Sequence, residues 1–85
     1  MASYRVEFKR SVAKDLRSIP RNDVRRILKR IDALADDPRP HGAEKLTSSE
    51  FYRIRQGAYR IVYEIRDDIL LVVVIKVAHR SDVYR

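Results

Sequence analysis

The side chains best suited to chemistry in this 85-residue sequence are arginines that recur in its C-terminal half. They are Arg53, Arg55, Arg60 and Arg80. Arginine stays charged at neutral pH and donates several hydrogen bonds from a planar fork, which suits a phosphate group. His79 could exchange a proton near neutral pH, and Tyr84 could stack on a nucleobase. These residue types predict a site that binds a phosphodiester and cleaves it without a metal ion.

The first half of the chain predicts one strand and two helices. Residues 4–8 (YRVEF) alternate apolar and charged side chains, as a half-buried strand does. Apolar residues at spacings of four and three predict a helix over 11–19, which Pro20 ends. A second helix, with its own apolar stripe, is predicted to start at Asn22 or Asp23. The two helices are expected to form a hairpin that rests on a sheet.

The second half predicts strands only, after a loop at 36–42 that contains two prolines and a glycine. The strands are a short segment at 43–46 and longer segments at 51–56, 58–65 and 69–78. Tight turns should join the last three into an antiparallel meander. The predicted fold class is α+β: a two-helix hairpin packed on a mostly antiparallel four- to five-stranded sheet, in the order β-α-α-β-β-β with an optional further strand. Residues 1–85 are expected to form one domain.

Strand alternation predicts that the arginines share a face of this sheet. If the tyrosine and isoleucine positions of 51–56 and 58–65 pack under the helices, Arg53, Arg55 and Arg60 emerge on the opposite, open face. The last strand is apolar on both faces and should therefore be central. Its Lys76 and Arg80 have equal parity, so one face of this strand becomes basic at its C-terminal end.

Each of these residues also has an ordinary structural interpretation. Charged side chains that alternate on a sheet face are usually there for solvation, so each arginine taken alone is more often solvent-facing than functional. A lone histidine at a strand end, such as His79, is more often structural than catalytic. Tyr84 could equally close the apolar edge of the sheet. The arginines support a functional site only when they are considered as a group.

Composition and charge narrow the possible partners, cofactors and cellular locations. Nineteen basic and twelve acidic residues give a net charge of +7, which favours nucleic acid, a membrane surface or an acidic protein segment as partner. The absence of cysteine excludes disulfides, thiolate zinc sites and a cysteine nucleophile. Two histidines make a weak metal site and two glycines make no phosphate loop, so no cofactor is expected. The sequence has no evident signal peptide, and its longest apolar run is too short to span a bilayer. We expect a soluble, cytoplasmic protein.

Three segments together carry a family resemblance. The string YRIRQGAYRIVYEIRDD, the long valine- and isoleucine-rich strand after it, and the tail AHRSDVYR resemble the RelE/ParE superfamily of bacterial toxins, on the RelE side. The resemblance extends over essentially the whole chain. It implies a small toxin whose open sheet face enters the ribosomal A site and cuts mRNA there. It also implies a cognate antitoxin that wraps the toxin with an extended or helical segment.

The resemblance implies roles for the arginines, position by position. Arg53 and Arg55 match two basic residues of the family's active face. Arg60 matches an arginine that holds the scissile phosphate. Arg80 matches a basic residue that protonates the leaving group or stabilises its charge. All four are therefore expected to be catalytic.

Four further residues complete the expected site. Tyr84 matches a tyrosine that stacks against or orients the RNA, and His79 stands where members have a histidine or another basic residue. Both are counted with the catalytic set. Lys45 and Lys76 are expected to bind RNA.

The general base is left open by the sequence. The best-known member has lysine where this chain has the arginines of YRIR, and arginine does not readily give up a proton. Either Arg55 acts only electrostatically, or His79, Lys45, Glu44 or Glu50 is the base, or activity is weak.

Three functions are consistent with these residues. The first is a metal-independent, ribosome-dependent mRNA endonuclease that uses the 2′-OH as nucleophile, inhibits translation and is neutralised by its antitoxin. The second is a ParE-like inhibitor of DNA gyrase, and the third is a catalytically weak relative that only binds antitoxin. A positive sheet face and two exposed sheet edges invite an acidic, poorly ordered partner segment in each case.

Overall fold

A five-stranded sheet carrying two helices on one face makes up the computed structural model, which describes residues 3–47 and 50–81. The elements in chain order are β1 (Arg5–Phe8), α1 (Arg10–Arg17), α2 (Arg21–Ala33), β2 (Glu44–Lys45), β3 (Phe51–Gln56), β4 (Tyr59–Arg66) and β5 (Leu71–His79). The predicted α+β class and element order are confirmed. No helix in these two ranges is long and apolar enough to cross a bilayer.

The sheet order is β1-β5-β4-β3-β2, and only the β1–β5 pair is parallel. β5 therefore has a strand on both sides, as its two apolar faces predict. It starts two residues later than the sequence pattern suggests, because Asp67–Ile69 form a 3₁₀ turn and Leu70 takes a left-handed φ of 50°. The tight turn between β3 and β4 places Gly57 at a φ of 60°, a conformation that glycine adopts without strain.

The core lies between the helices and one face of the sheet. The helices contribute Val12, Ile27, Ile31 and Leu34, and the sheet contributes Ile54, Ile61, Tyr63, Ile65, Val72, Val74 and Val77. All of these side chains are buried. Alternate residues of β3 and β4 point to this side, so the intervening residues point to the opposite face. We call the first the helix side and the second the open face.

The loop between α2 and β2 is fastened to one end of the sheet. The buried Tyr63 donates a hydrogen bond of 2.7 Å to the carbonyl oxygen of Pro38. Arg39 forms a two-point pair with Asp67, at 3.2 Å from Nη1 to Oδ1 and 2.7 Å from Nη2 to Oδ2. Its Nε also donates to the Tyr52 hydroxyl at 3.0 Å. These contacts fix the end of β4 that lies away from Arg60.

Candidate active site

Cross-strand register brings the predicted cations to one surface. Arg53 lies opposite Val62, which in turn lies opposite Lys76. In the next row Arg55 lies opposite Arg60, and Arg60 lies opposite Ala78. Paired residues point to the same side of a sheet, and both rows lie on the open face. Arg80 follows Ala78 by two positions, and its amide donates to the carbonyl of Ala58 at 2.8 Å. We call the four arginines Arg53, Arg55, Arg60 and Arg80 the arginine face. Lys76 belongs to the same side by register, but its Nζ lies 3.7 Å from Oδ1 of Asp15 on α1.

The four arginines and the neighbouring Lys76 differ in their exposure. Arg55, Lys76 and Arg80 are exposed, whereas the Arg53 side chain is 16% exposed and Arg60 is 6% exposed. Arg60 donates from Nη1 to the main-chain carbonyl of Arg80 at 3.0 Å. The ordinary interpretation of Arg60 as a solvent-facing charge is therefore wrong. Its guanidinium lies along the sheet and reaches the end of β5.

A β-bulge in β5 decides which of its residues join the arginine face. Val62 pairs with Lys76 and Tyr63 pairs with Val74, so Ile75 is an extra residue on β5. Val74 and Val77 are consequently both buried in the core although three positions separate them. Beyond the bulge the alternation changes phase, and Lys76 and its even-numbered successors point to the open face. Sequence alternation alone does not reveal this change.

One candidate base lies beside the arginine face. Glu44 pairs with Arg53 across β2 and β3, and its Oε1 lies 3.4 Å from Nη2 of Arg53. The Glu44 side chain is 54% exposed, so its carboxylate is open to solvent and to a ligand. The pair sets a proton acceptor next to the strongest phosphate-binding residue type.

His79 does not join the arginine face. It pairs with Tyr59 across β4 and β5 and therefore lies on the helix side. Its ring meets the Tyr59 ring edge-on at 5.6 Å between centroids. Nδ1 lies 2.9 Å from the Ser81 hydroxyl oxygen. The sheet separates His79 from the four arginines with which the sequence grouped it.

Lys45 and Glu50 are also placed apart from the arginines. Lys45 lies opposite Tyr52, and so it belongs to the helix side. Together with Glu50 and Asp67 it lines a cavity of about 620 Å³ at the end of the sheet away from Arg60. Of the residues considered as a base, Glu44 is the one that the structure brings to the arginine face.

Two further points concern Tyr84 and a metal site. Tyr84 lies outside the described residues. Across the described parts of the chain, no group of three or more histidine, aspartate or glutamate side chains gathers where a metal ion could be held.

Comparison with known proteins identifies the family. Residues 6–84 match the family of the ParE toxin of the type II toxin–antitoxin system, parDE. The chain belongs to this family of toxins. It is 27% identical over 86 residues to the putative toxin RelE1 of Methanocaldococcus jannaschii, a match that covers 96% of each chain. The predicted membership of the RelE/ParE superfamily is thereby confirmed.

Solved structures agree with this assignment. The toxin–antitoxin complex RelBE2 of Mycobacterium tuberculosis contains a chain that matches with a TM-score of 0.81 at 26% identity, covering 92% of this chain and 99% of that one. The archaeal RelE–RelB complex of Pyrococcus horikoshii matches with a TM-score of 0.81 at 29% identity, covering 94% and 98%. The RelE-like fold expected from the sequence is the fold of this toxin.

Proposed function

We propose that this toxin is a ribosome-dependent endonuclease that cuts mRNA without a metal ion. The observation that carries the proposal is the arginine face, where cross-strand register and one bulge gather four arginines on the sheet face opposite the helices. A phosphodiester that gains charge during cleavage needs several fixed donors on one side, and this term is often the largest in such sites. The family resemblance supplies the ribosomal A site as the place of cleavage.

The reaction joins the 2′ oxygen to the adjacent phosphorus and breaks the bond from phosphorus to the 5′ oxygen. The products are a 2′,3′-cyclic phosphate and a 5′-hydroxyl end. Arg53 and Arg55 on β3 would bind the non-bridging oxygens as their charge grows. Arg80 at the end of β5 would stabilise the departing 5′ oxygen, which then takes a proton from water. Arg60 would hold the phosphate while its bond to the Arg80 carbonyl aligns the two strands.

Glu44 is the base that this geometry supports. Its carboxylate would accept the 2′-hydroxyl proton, and its position 3.4 Å from Arg53 sets it at the rim of the phosphate site. Arg55 then contributes charge only, which removes the need for an arginine to lose a proton. A general base usually contributes about 10²–10⁴-fold to a rate. The rest would come from the ribosome, which holds the mRNA in line for attack.

Tyr84 would stack on a base next to the cleaved bond. A base-stacking aromatic is worth about 1–3 kcal/mol by alanine substitution, and it needs no hydrogen bond to be effective. The change Tyr84→Phe should keep this contact and Tyr84→Ala should remove it.

The experiment is an in vitro translation reaction in which mRNA 5′ ends are mapped by primer extension. Wild type is compared with Arg80→Ala, and with Arg25→Ala as a matched control, because Arg25 is an exposed arginine of α2 away from the arginine face. We expect new ends inside codons for wild type and Arg25→Ala, and their loss in Arg80→Ala. Equal cutting of naked RNA, or intact mRNA under wild-type toxin, would refute the proposal.

Gyrase inhibition is the second candidate, because the matching family carries the ParE name. The arginine face would then bind DNA or gyrase without cutting anything. A supercoiling assay with purified gyrase separates the two. Gyrase arrest by wild type together with intact mRNA in the translation assay would favour this second function.

An antitoxin is the partner we propose, as in the RelB complexes of the solved relatives. A strongly apolar groove of about 390 Å³ runs between β1 and the helices and is lined by Phe8, Lys9, Arg10, Val12, Ala13, Leu16 and Leu28. Phe8 and Leu28 are 45% and 37% exposed, which is high for side chains of this size. An amphipathic antitoxin helix with acidic flanks would fill the groove and meet its basic end.

The groove can be tested without disturbing the arginine face. Leu28→Asp adds a negative charge to the apolar lining and should weaken antitoxin binding, measured by calorimetry. The same variant should still cut mRNA at the wild-type rate. Unchanged affinity would place the antitoxin elsewhere on the toxin.

A further inference from the structure

The bulge of β5 matters for function, if the proposed nuclease activity holds. Without it, strict alternation from the buried Val72 and Val74 would send Lys76, Ala78 and Arg80 to the helix side. Ile75, the extra residue, shifts the phase so that Arg80 joins the arginine face. Bulges often re-aim side chains beside active sites in this way. Whatever holds the bulge therefore sets the position of Arg80.

The bulge coincides with the place where β5 loses its outer neighbour. The parallel pairing with β1 ends at Phe8, opposite Val74, with a last hydrogen bond from the Lys9 amide to the Val74 carbonyl at 2.8 Å. Within residues 3–47 and 50–81, no strand pairs with this edge of β5 from Ile75 onward. A buried residue such as Val77, 2% exposed, then needs another acceptor for its amide.

Asp15 of α1 supplies that acceptor. Its Oδ2 accepts the Val77 amide hydrogen bond at 3.1 Å, and its Oδ1 lies 3.7 Å from Nζ of Lys76. The Asp15 side chain is 19% exposed, so the contact is largely shielded from water. One carboxylate thus contacts the two residues that follow the bulge. Hydrogen bonds to a charged acceptor are shorter and stronger than neutral ones, and shielding preserves them.

We propose that Asp15 is a positioning residue of the active site, acting through the β5 bulge to hold Arg80 on the arginine face. It does not contact the substrate. Its carboxylate fixes the main chain at Val77, and the strand from there carries Arg80 to the carbonyl contact with Arg60. The predicted consequence is a loss of turnover when the acceptor is removed, with little change in affinity for the ribosome.

Three variants distinguish the loss of the hydrogen-bond acceptor from the loss of its charge, and both from the loss of a helical carboxylate elsewhere. Asp15→Ala removes the acceptor, and Asp15→Asn keeps an oxygen that can accept the Val77 amide. Asp23→Ala is the matched control, because Asp23 is a helical carboxylate with a long ion pair of 3.8 Å to Arg26 on the same helix. We expect cleavage on translating ribosomes to fall roughly 10- to 100-fold in Asp15→Ala through kcat rather than KM. Asp15→Asn should stay within about fivefold of wild type.

Amide hydrogen exchange measured by NMR tests whether Asp15 holds the main chain at Val77, and it needs no activity assay. In Asp15→Ala the Val77 amide should lose protection while the Ile61 amide of β4 keeps it, and Asp15→Asn should restore protection at Val77. Retained protection at Val77 in Asp15→Ala would overturn the inference. So would wild-type cleavage by Asp15→Ala despite lost protection, or equal loss of cleavage in the Ala and Asn variants.

The two proposals fail in different ways. If wild-type toxin does not cut mRNA, the proposed nuclease function fails. The exchange data would then still decide whether Asp15 holds the bulge. If wild type cuts and Asp15→Ala cuts equally well, the nuclease function stands and the positioning role falls.

Discussion

Arg60 at the start of β4 donates a hydrogen bond of 3.0 Å from its guanidinium to the main-chain carbonyl of Arg80, just past the end of β5. The side chain of Arg60 therefore contacts the backbone of Arg80, and both residues belong to the arginine face. Arg60 is 6% exposed, so this contact is shielded from water. The position of the Arg80 main chain therefore depends on Arg60.

Replacing Arg60 should cost more than the loss of one phosphate ligand. Arg60→Ala removes a charge and also frees the end of β5, and we expect mRNA cleavage to fall about 10²–10³-fold. Arg60→Lys keeps the charge and can donate one hydrogen bond, but it lacks the planar fork, so it should recover only part of the rate. Cleavage rates on translating ribosomes measure both, and full activity of Arg60→Ala would contradict the assigned role.

Glu44→Gln tests the proposed role of Glu44 as general base. The amide keeps the size of the side chain but cannot accept the 2′-hydroxyl proton, so cleavage should fall about 10²–10⁴-fold. Glu50→Gln is the control, because Glu50 lines the cavity at the other end of the sheet. Single-turnover cleavage on stalled ribosomes gives the chemical step directly. Equal rates for Glu44→Gln and wild type would remove Glu44 from the mechanism.

The sequence predicts which residues of β3 and β4 point to each face of the sheet, because local signals determine this alternation. Tyrosine and isoleucine alternate with arginine in both strands, and Gly57 marks the tight turn that fixes their register. Arg55 and Arg60 consequently lie on one face of the sheet, as alternation predicts, and the register pairs them directly. The α+β order follows from the same patterning and from the loop prolines.

The end of β5 could not be predicted in this way. Its apolar residues fill both faces, so the pattern contains no mark for the extra residue Ile75. Asp15 acts on β5 through a tertiary contact across 62 positions of sequence, which no local pattern encodes. His79 lies on the helix side because it pairs with Tyr59. This pairing comes after the bulge in β5, so it also depends on the extra residue.

The Asp67 carboxylate should make the free energy of unfolding depend on pH in the acid range. Its hydrogen bonds from Arg39 and then from Tyr4 lower the pKa of Asp67 from 3.8 to about 2. A lowered pKa means that the folded state favours the carboxylate. Its stabilisation is therefore complete above about pH 5 and is lost as pH falls through 4 towards 2. Wild type should be more stable than Asp67→Asn at pH 7, with the difference shrinking from pH 4 to pH 2 and vanishing below that pKa.

Urea unfolding at a series of pH values measures this difference. Asp68→Asn serves as the control, because Asp68 is the adjacent aspartate of the same 3₁₀ turn. A gap between wild type and Asp67→Asn that stayed constant from pH 7 to pH 2 would show that the Arg39 contact does not depend on the charge of Asp67.

Tyr63 should make stability depend on alkaline pH, with the opposite sign. Burial raises the pKa of Tyr63 from 10.0 to about 12, so the folded state favours the neutral phenol. Its contribution is complete below pH 10 and is lost as pH rises from 10 towards 12. Tyr63→Phe leaves the carbonyl of Pro38 without this donor and should cost about 1 kcal/mol at pH 7. The variant cannot ionise here, so the wild-type advantage should shrink above pH 10, as measured by urea unfolding. An advantage that persisted undiminished at pH 11.5, a value within about one unit of that pKa, would contradict the assigned burial of the phenol.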